Sequence, residues 1–178
     1  MANQILRREK HYRGHAFDVS KVYVQLPDGR EREYDLVEHG NSVTIVPISD
    51  TGELYFVTQH RIGAGHDLLE LPAGVLDGDE EPINAANREL QEETGKTADT
   101  FVNLGGFYLA PGYADEYMHV FLAQGLSDSP LDPDDDEFLE VVRIPVADAY
   151  QKALSGELQD GKTLAALILA MPLIKEND

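Results

Sequence analysis

The chain contains no cysteine. That excludes a disulfide framework, a thiolate nucleophile and any Cys-based zinc or iron–sulfur site, leaving oxygen and imidazole as metal donors. Positive charge is scarce too, with 14 Lys and Arg against 33 Asp and Glu and a formal charge of −19. A surface this acidic repels the phosphates of DNA, RNA and anionic lipid, so neither nucleic acid nor a membrane is an expected partner. Long hydrophobic runs are missing. Met1 to Arg8 holds no apolar core of signal-peptide length, and the longest apolar run, Leu164 to Ile174, is about half a membrane span and carries Pro172. A soluble cytoplasmic protein is therefore expected, with no internal repeat or low-complexity linker.

What the chain does have is 178 residues, 42% of them apolar, enough to fill one substantial core with room for a small appendage. Its acidity is uneven: residues 1–60 carry nine acids and seven bases, whereas residues 61–178 carry 24 acids and seven bases. Solubility accounts for such an excess, and so does a divalent cation that offsets part of it.

Residues 17–26 alternate in the strand sense, Pro27-Asp28-Gly29 supplies a turn, and Glu33 to Glu38 returns, which predicts an N-terminal hairpin. A second strand pair is expected from Val43–Ile48 and Leu54–Thr58 around Asp50-Thr51-Gly52, uniformly apolar and so buried. Pro82 suits a first helical turn and Gly95 a C-terminal cap, predicting a helix over 82–94 with Ile83, Ala86 and Leu90 facing inward. Strands are expected at 101–109, 117–123 and 138–144, helices at 146–155 and 163–174, and an acidic loop from Ser127 to Glu137. Hairpins mixed with a few helices indicate an α+β fold with a mixed sheet, not a doubly wound parallel one.

The chemistry concentrates on the 82–94 helix. Glu89 and Glu93 lie one turn apart on one face, and Glu92 lies within about 60° of Glu89. Clustered carboxylates repel unless a cation holds them, and hard oxygen donors without Cys or a His pair favour Mg²⁺ or Mn²⁺ over zinc. Arg88 can pair with Glu92 at i,i+4 and orient it. A solvated helix face with routine ion pairs is the alternative.

The loop before the helix argues against that alternative. Gly74, five residues, Glu80, seven residues, then Arg88-Glu89-Leu90-Gln91-Glu92-Glu93-Thr94-Gly95 resembles the Nudix box, G-x5-E-x7-R-E-U-x-E-E-x-G-U. Eight of nine fixed positions match, and Lys96 replaces the last apolar one. Glu70-Leu71-Pro72-Ala73-Gly74 before the box, and Ala110 to Glu116 after it, resemble the ADP-ribose pyrophosphatase branch. That branch has a proline about 16 residues past the box, and Pro111 lies sixteen past Gly95.

The resemblance implies a Nudix fold, a mixed sheet between helices in α/β/α order, over residues 41–178. It also implies an N-terminal β subdomain over 1–40 that exchanges between two subunits of a homodimer; a hairpin pair this small is not stable alone. The implied reaction is metal-dependent hydrolysis of ADP-ribose to AMP and ribose 5-phosphate. Other nucleoside diphosphate sugars, such as GDP-mannose or ADP-glucose, and a non-catalytic ADP-ribose sensor are the alternatives. By matched position, the metal (Mg²⁺, or Mn²⁺) falls to the Ala73 carbonyl, Glu89 and Glu93. Arg61 clamps the diphosphate, with Glu70 counted among the substrate-binding residues, and Glu116 contacts the terminal ribose. A surface ion pair for Arg61 and a turn role for Glu116 remain the bland readings. In the acidic stretch Asp132–Glu137, Glu137 and Asp135 are candidates for general base or extra metal ligand, alongside Glu92 as base.

Two further patterns are set aside. Gly156 to Thr163 satisfies G-x4-G-K-[ST], but the residues before it read as a helix rather than a buried strand, so an interhelical turn is expected. Asp132, Asp134 and Asp136 alternate like a calcium loop but lack its glycine and final glutamate. The six histidines form no ligand pair.

Overall fold

The computed structural model describes residues 3–132 and 138–175, and the chain divides into two compact units. The first comprises residues 1–41 and 108–117, the second residues 42–107 and 118–178.

In the first unit, β1 (Gln4–Arg13), β2 (Asp18–Gln25) and β3 (Glu31–Glu38) form an antiparallel sheet in that order. The expected hairpin is β2–β3: Gly29 adopts φ +84°, its N–H reaches the Leu26 carbonyl at 2.9 Å, and Gln25 faces Glu31. Ser20, Val22 and Val24 form its buried row, following the period of two. Strand β1 adds to what was expected. All its residues are exposed, so it carries no burial alternation to read; it is held by backbone pairing and by contacts such as Lys10 with Asp18 and Arg7 over the Tyr23 ring, 3.5 Å from the centroid. Residues 113–115 dock on the end of β3, where the Val37 N–H donates to the Tyr113 carbonyl at 2.7 Å and Asp115 Oδ1 accepts the His39 N–H at 2.8 Å.

The second unit contains β4 (Ser42–Pro47), β5 (Glu53–Arg61), β6 (His66–Glu70), β7 (Ala73–Val75), α1 (Pro82–Thr94), all but the last residue of β8 (Lys96–Tyr108), all but the first of β9 (Tyr117–Asp128), β10 (Glu140–Pro145), α2 (Val146–Ser155) and α3 (Gly161–Lys175). One sheet runs β7-β4-β9-β8, with β4 parallel to β9 and antiparallel to β7; the other is β10-β5-β6, antiparallel throughout. The expected pairing of β4 with β5 is therefore corrected. They share a single bridge, Ile48 to Leu54, and then part into different sheets. Both edges of β4 are already taken by β7 and β9, and all six of its residues are buried.

Side chains on β4 and β9 alternate between two cores. Val43, Ile45, Phe121 and Ala123 meet Ala85, Ala86 and Leu90 of α1. Val46, Val120 and Leu122 meet Leu54, Phe56, Leu71 and Ile144, with Ala166, Leu167, Ala170 and Ile174 of α3. The mixed sheet is thus sandwiched between helices, as the resemblance implied. Ile83 departs from expectation: it shares the direction of Leu90 but sits two turns earlier, and is 46% exposed, while Ala85 takes its place. Among the described residues no helix is long and apolar enough to cross a membrane.

Candidate active site

Helix α1 is bounded as its sequence implies, with Pro82 in the first turn and Gly95 at φ +69° closing the C-terminus through an N–H bond to the Gln91 carbonyl at 3.0 Å. Its buried arc includes two carboxylates beside the apolar residues: Glu89 is 7% and Glu93 5% exposed. They lie against adjacent residues of β7. Glu93 Oε2 accepts the Ala73 N–H at 3.1 Å, and the Glu89 carboxylate occupies the space that a Cβ on Gly74 would fill. The box glycine is needed here for close approach; its backbone has no positive φ.

Arg88 ties this arrangement together. Its Nη1 donates to Glu89 Oε1 at 2.7 Å and Glu92 Oε2 at 3.0 Å, and its Nη2 to the Val75 carbonyl at 3.1 Å and Glu80 Oε2 at 2.9 Å. The box spacing therefore folds the loop glutamate back onto the helix arginine. Hydrogen bonding to Glu80, opposed by burial and reinforced by the charge of Glu89, raises the proton affinity of Arg88; the same contact lowers the Glu80 pKa. Lys96, the departure from the motif, pairs with Asp128 at 2.5 Å and lies 5.8 Å from the Tyr55 ring centroid. Neither contact involves a box carboxylate.

A second cluster joins the ends of β5 and β6. Arg61 grips Glu70 with Nε at 2.8 Å and Nη2 at 2.6 Å, and Glu70 is 1% exposed. Lys162, from the first turn of α3, reaches the same Glu70 Oε2. Burial pushes the Glu70 pKa up, but Arg61 and Lys162 together outweigh it and hold the carboxyl below its ordinary value. The hydrogen bond to Glu70 raises the pKa of Arg61 against burial, and the charges of Glu93 and Asp160 add to it, so Arg61 lies within electrostatic reach of Glu93. Lys162 was missed as a partner of this site. Its lysine-threonine pattern was visible, but the contact spans 92 residues.

The structure thus brings Ala73, Glu89 and Glu93 together with Arg88, Glu92 and Glu80, and joins Arg61 to Glu70. Glu116 belongs to the first unit, where it lies 3.7 Å from His39 Nδ1. Asp135 and Glu137 lie outside the described residues. The expected interhelical turn holds for Gly156 to Asp160 only: Gly161, Lys162 and Thr163 already form the first turn of α3, which begins two residues before the expected helix.

The donors at β7 and α1 suit a hard cation. They are the buried carboxylate oxygens of Glu89 and Glu93, with neither sulfur nor imidazole among them. Among the described residues no three Asp, Glu or His side chains form an ion-holding group by themselves. Glu89 and Glu93 are the carboxylates that the fold brings to Ala73 and Gly74.

The NUDIX domain family matches residues 38–167. An ADP-ribose pyrophosphatase of Bacillus subtilis is 36% identical over 169 residues, 94% of this chain and 91% of its own. A methanol dehydrogenase activator of Bacillus methanolicus is 30% identical over 164 residues, 91% of this chain and 89% of its own. A crystal structure of an ADP compounds hydrolase superposes with a TM-score of 0.88 at 29% identity, covering 99% of this chain and 96% of that one. The chain belongs to the NUDIX family and is a Nudix pyrophosphatase.

Proposed function

We propose that this enzyme hydrolyses the pyrophosphate bond of ADP-ribose to AMP and ribose 5-phosphate, using Mg²⁺ or Mn²⁺. The reading is supported above all by the two buried carboxylates of α1 that meet the main chain at Ala73 and Gly74. Two carboxylates buried on one helix are costly unless positive charge offsets them, and a bound divalent ion would supply it. The Ala73 carbonyl, Glu89 and Glu93 would hold the ion, with Glu137 as a further ligand. Bound there, a divalent ion supplies charge neutralisation for the diphosphate and a lowered pKa for water.

The remaining work falls to side chains. Arg61 offers its guanidinium to the diphosphate oxygens, a geometry a planar fork suits. Arg88 fixes the orientations of Glu89 and Glu92. The attacking water forms a bond to one phosphorus as the bridging P–O bond breaks, and its proton passes to a carboxylate oxygen of Glu137, Asp135 or Glu92. Glu116 accepts hydrogen bonds from the terminal ribose hydroxyls. The same proposal makes residues 1–40 a dimerisation subdomain of a cytoplasmic homodimer. That part is supported by exposed Ile5, Leu6, Tyr12 and Tyr34 on a thin sheet.

Mass analysis of products from ADP-ribose, GDP-mannose and ADP-glucose, with and without EDTA, tests the reading. AMP and ribose 5-phosphate should form from ADP-ribose and vanish with EDTA. Preferential cleavage of another sugar nucleotide, or activity indifferent to EDTA, would contradict it.

A further inference from the structure

The P-loop-like segment Gly156–Thr163 runs from the end of α2 into the first turn of α3, and its lysine and threonine are both buried, Thr163 completely. Their contacts show what they do. Lys162 Nζ bonds Glu70 Oε2 and, at 3.0 Å, Asp160 Oδ2. Asp160 Oδ2 also accepts the Thr163 N–H at 3.0 Å and its hydroxyl at 2.6 Å, an N-cap arrangement for α3. The Thr163 hydroxyl in turn accepts the Leu71 N–H at 2.8 Å. The segment therefore binds a carboxylate and the strand end leading to Ala73, where a true P-loop would bind phosphate.

Glu70 Oε2 takes both Arg61 Nη2 and Lys162 Nζ. With one cation, a fully buried carboxylate closes on it as a neutral pair and draws it inward. A second cation on the same oxygen weakens that hold. Arg61 keeps its Nη1 without a hydrogen-bond partner among the described residues, and 41% of its side chain remains exposed. Residues 61–178 carry 24 acids and only seven bases, and Arg61 and Lys162 are two of those seven.

We propose that Lys162 is a positioning residue for substrate binding: by sharing buried Glu70 with Arg61 and Asp160 with the cap of α3, it keeps the Arg61 guanidinium available to the diphosphate. This rests on the reading of Arg61 as the diphosphate clamp. The Lys162 side chain is 10% exposed, with its ammonium directed at Glu70 and Asp160.

The test is a double-mutant cycle in steady-state kinetics on ADP-ribose with Mg²⁺, using Lys162→Met, Arg61→Ala and the double variant. Lys162→Met should raise KM about tenfold, the size of one lost charged hydrogen bond, with kcat within about twofold. In the Arg61→Ala background the same change should move KM by less than about twofold, because the residue through which Lys162 acts is gone. Additive KM effects, or a fall in kcat at constant KM, overturn the proposal in favour of a purely structural lysine. If Lys162→Met does not fold, Lys162→Gln, which keeps a donor for Glu70 without charge, enters the same cycle with the same expectations. A wild-type enzyme that cleaves no nucleoside diphosphate compound defeats the reading of the site, and this inference with it.

Discussion

Gly74→Ala is the sharpest perturbation the site offers, because the added methyl would overlap the Glu89 carboxylate itself. Ordinary separation is about 3.5 Å, so the carboxylate must retreat by on the order of an ångström, or α1 must lift from β7. Arg88 resists either movement, holding Glu89 Oε1 at 2.7 Å while anchored to Glu80 and the Val75 carbonyl. Overpacking of this kind costs about 1–3 kcal/mol of stability. A misplacement of about 1 Å in a catalytic constellation costs about 100-fold in rate, or about 2.7 kcal/mol in the barrier. The expected result is a folded protein with a modestly lowered melting temperature and kcat on ADP-ribose down about 100-fold. Gly63→Ala, where a Cβ meets nothing within 4 Å, should leave kcat unchanged and serves as the control. Wild-type kcat in a folded Gly74→Ala protein would refute the idea that Glu89 must lie against the β7 backbone.

Other outcomes follow from the same contacts. Glu93→Gln should keep the fold, since an amide oxygen can still accept the Ala73 N–H, but lower kcat by about a thousandfold or more in the Mg²⁺ assay. Arg61→Ala should raise KM by about 10–100-fold with a smaller effect on kcat. The Glu70 carboxyl titrates below its unfolded value, so its contribution to stability is present above the unfolded pKa and lost as pH falls through the folded one. Urea denaturation should accordingly show a stability gap between wild type and Glu70→Gln that is constant at neutral pH and closes only below about pH 4. A gap unchanged down to pH 2 would mean that the charge on Glu70 does not matter.

How far the sequence announced this molecule depends on how local each signal is. Helix α1 was legible to the residue, because Pro82, Gly95 and the box spacing are all contained within it. The β2–β3 hairpin was legible from alternation and a turn glycine. Strand β1 was not, since it buries nothing, and β6 and β7 were not, since five and three residues carry too little pattern. The parting of β4 and β5 depends on β9 claiming the edge of β4 from 76 residues away, which no local turn signal reports. At the site, the carboxylates and Arg88 share one helix and could be read together. The Lys162–Glu70 contact joins two distant segments and emerges only from the fold.

The most direct measurement of the central claim is anomalous diffraction from crystals soaked in Mn²⁺. The account predicts a peak bonded to the Ala73 carbonyl and to carboxylate oxygens of Glu89 and Glu93, at about 2.0–2.3 Å, the range of hard divalent ions. Glu89 and Glu93 turned apart, with no peak between them and the Ala73 oxygen at saturating metal, would contradict it.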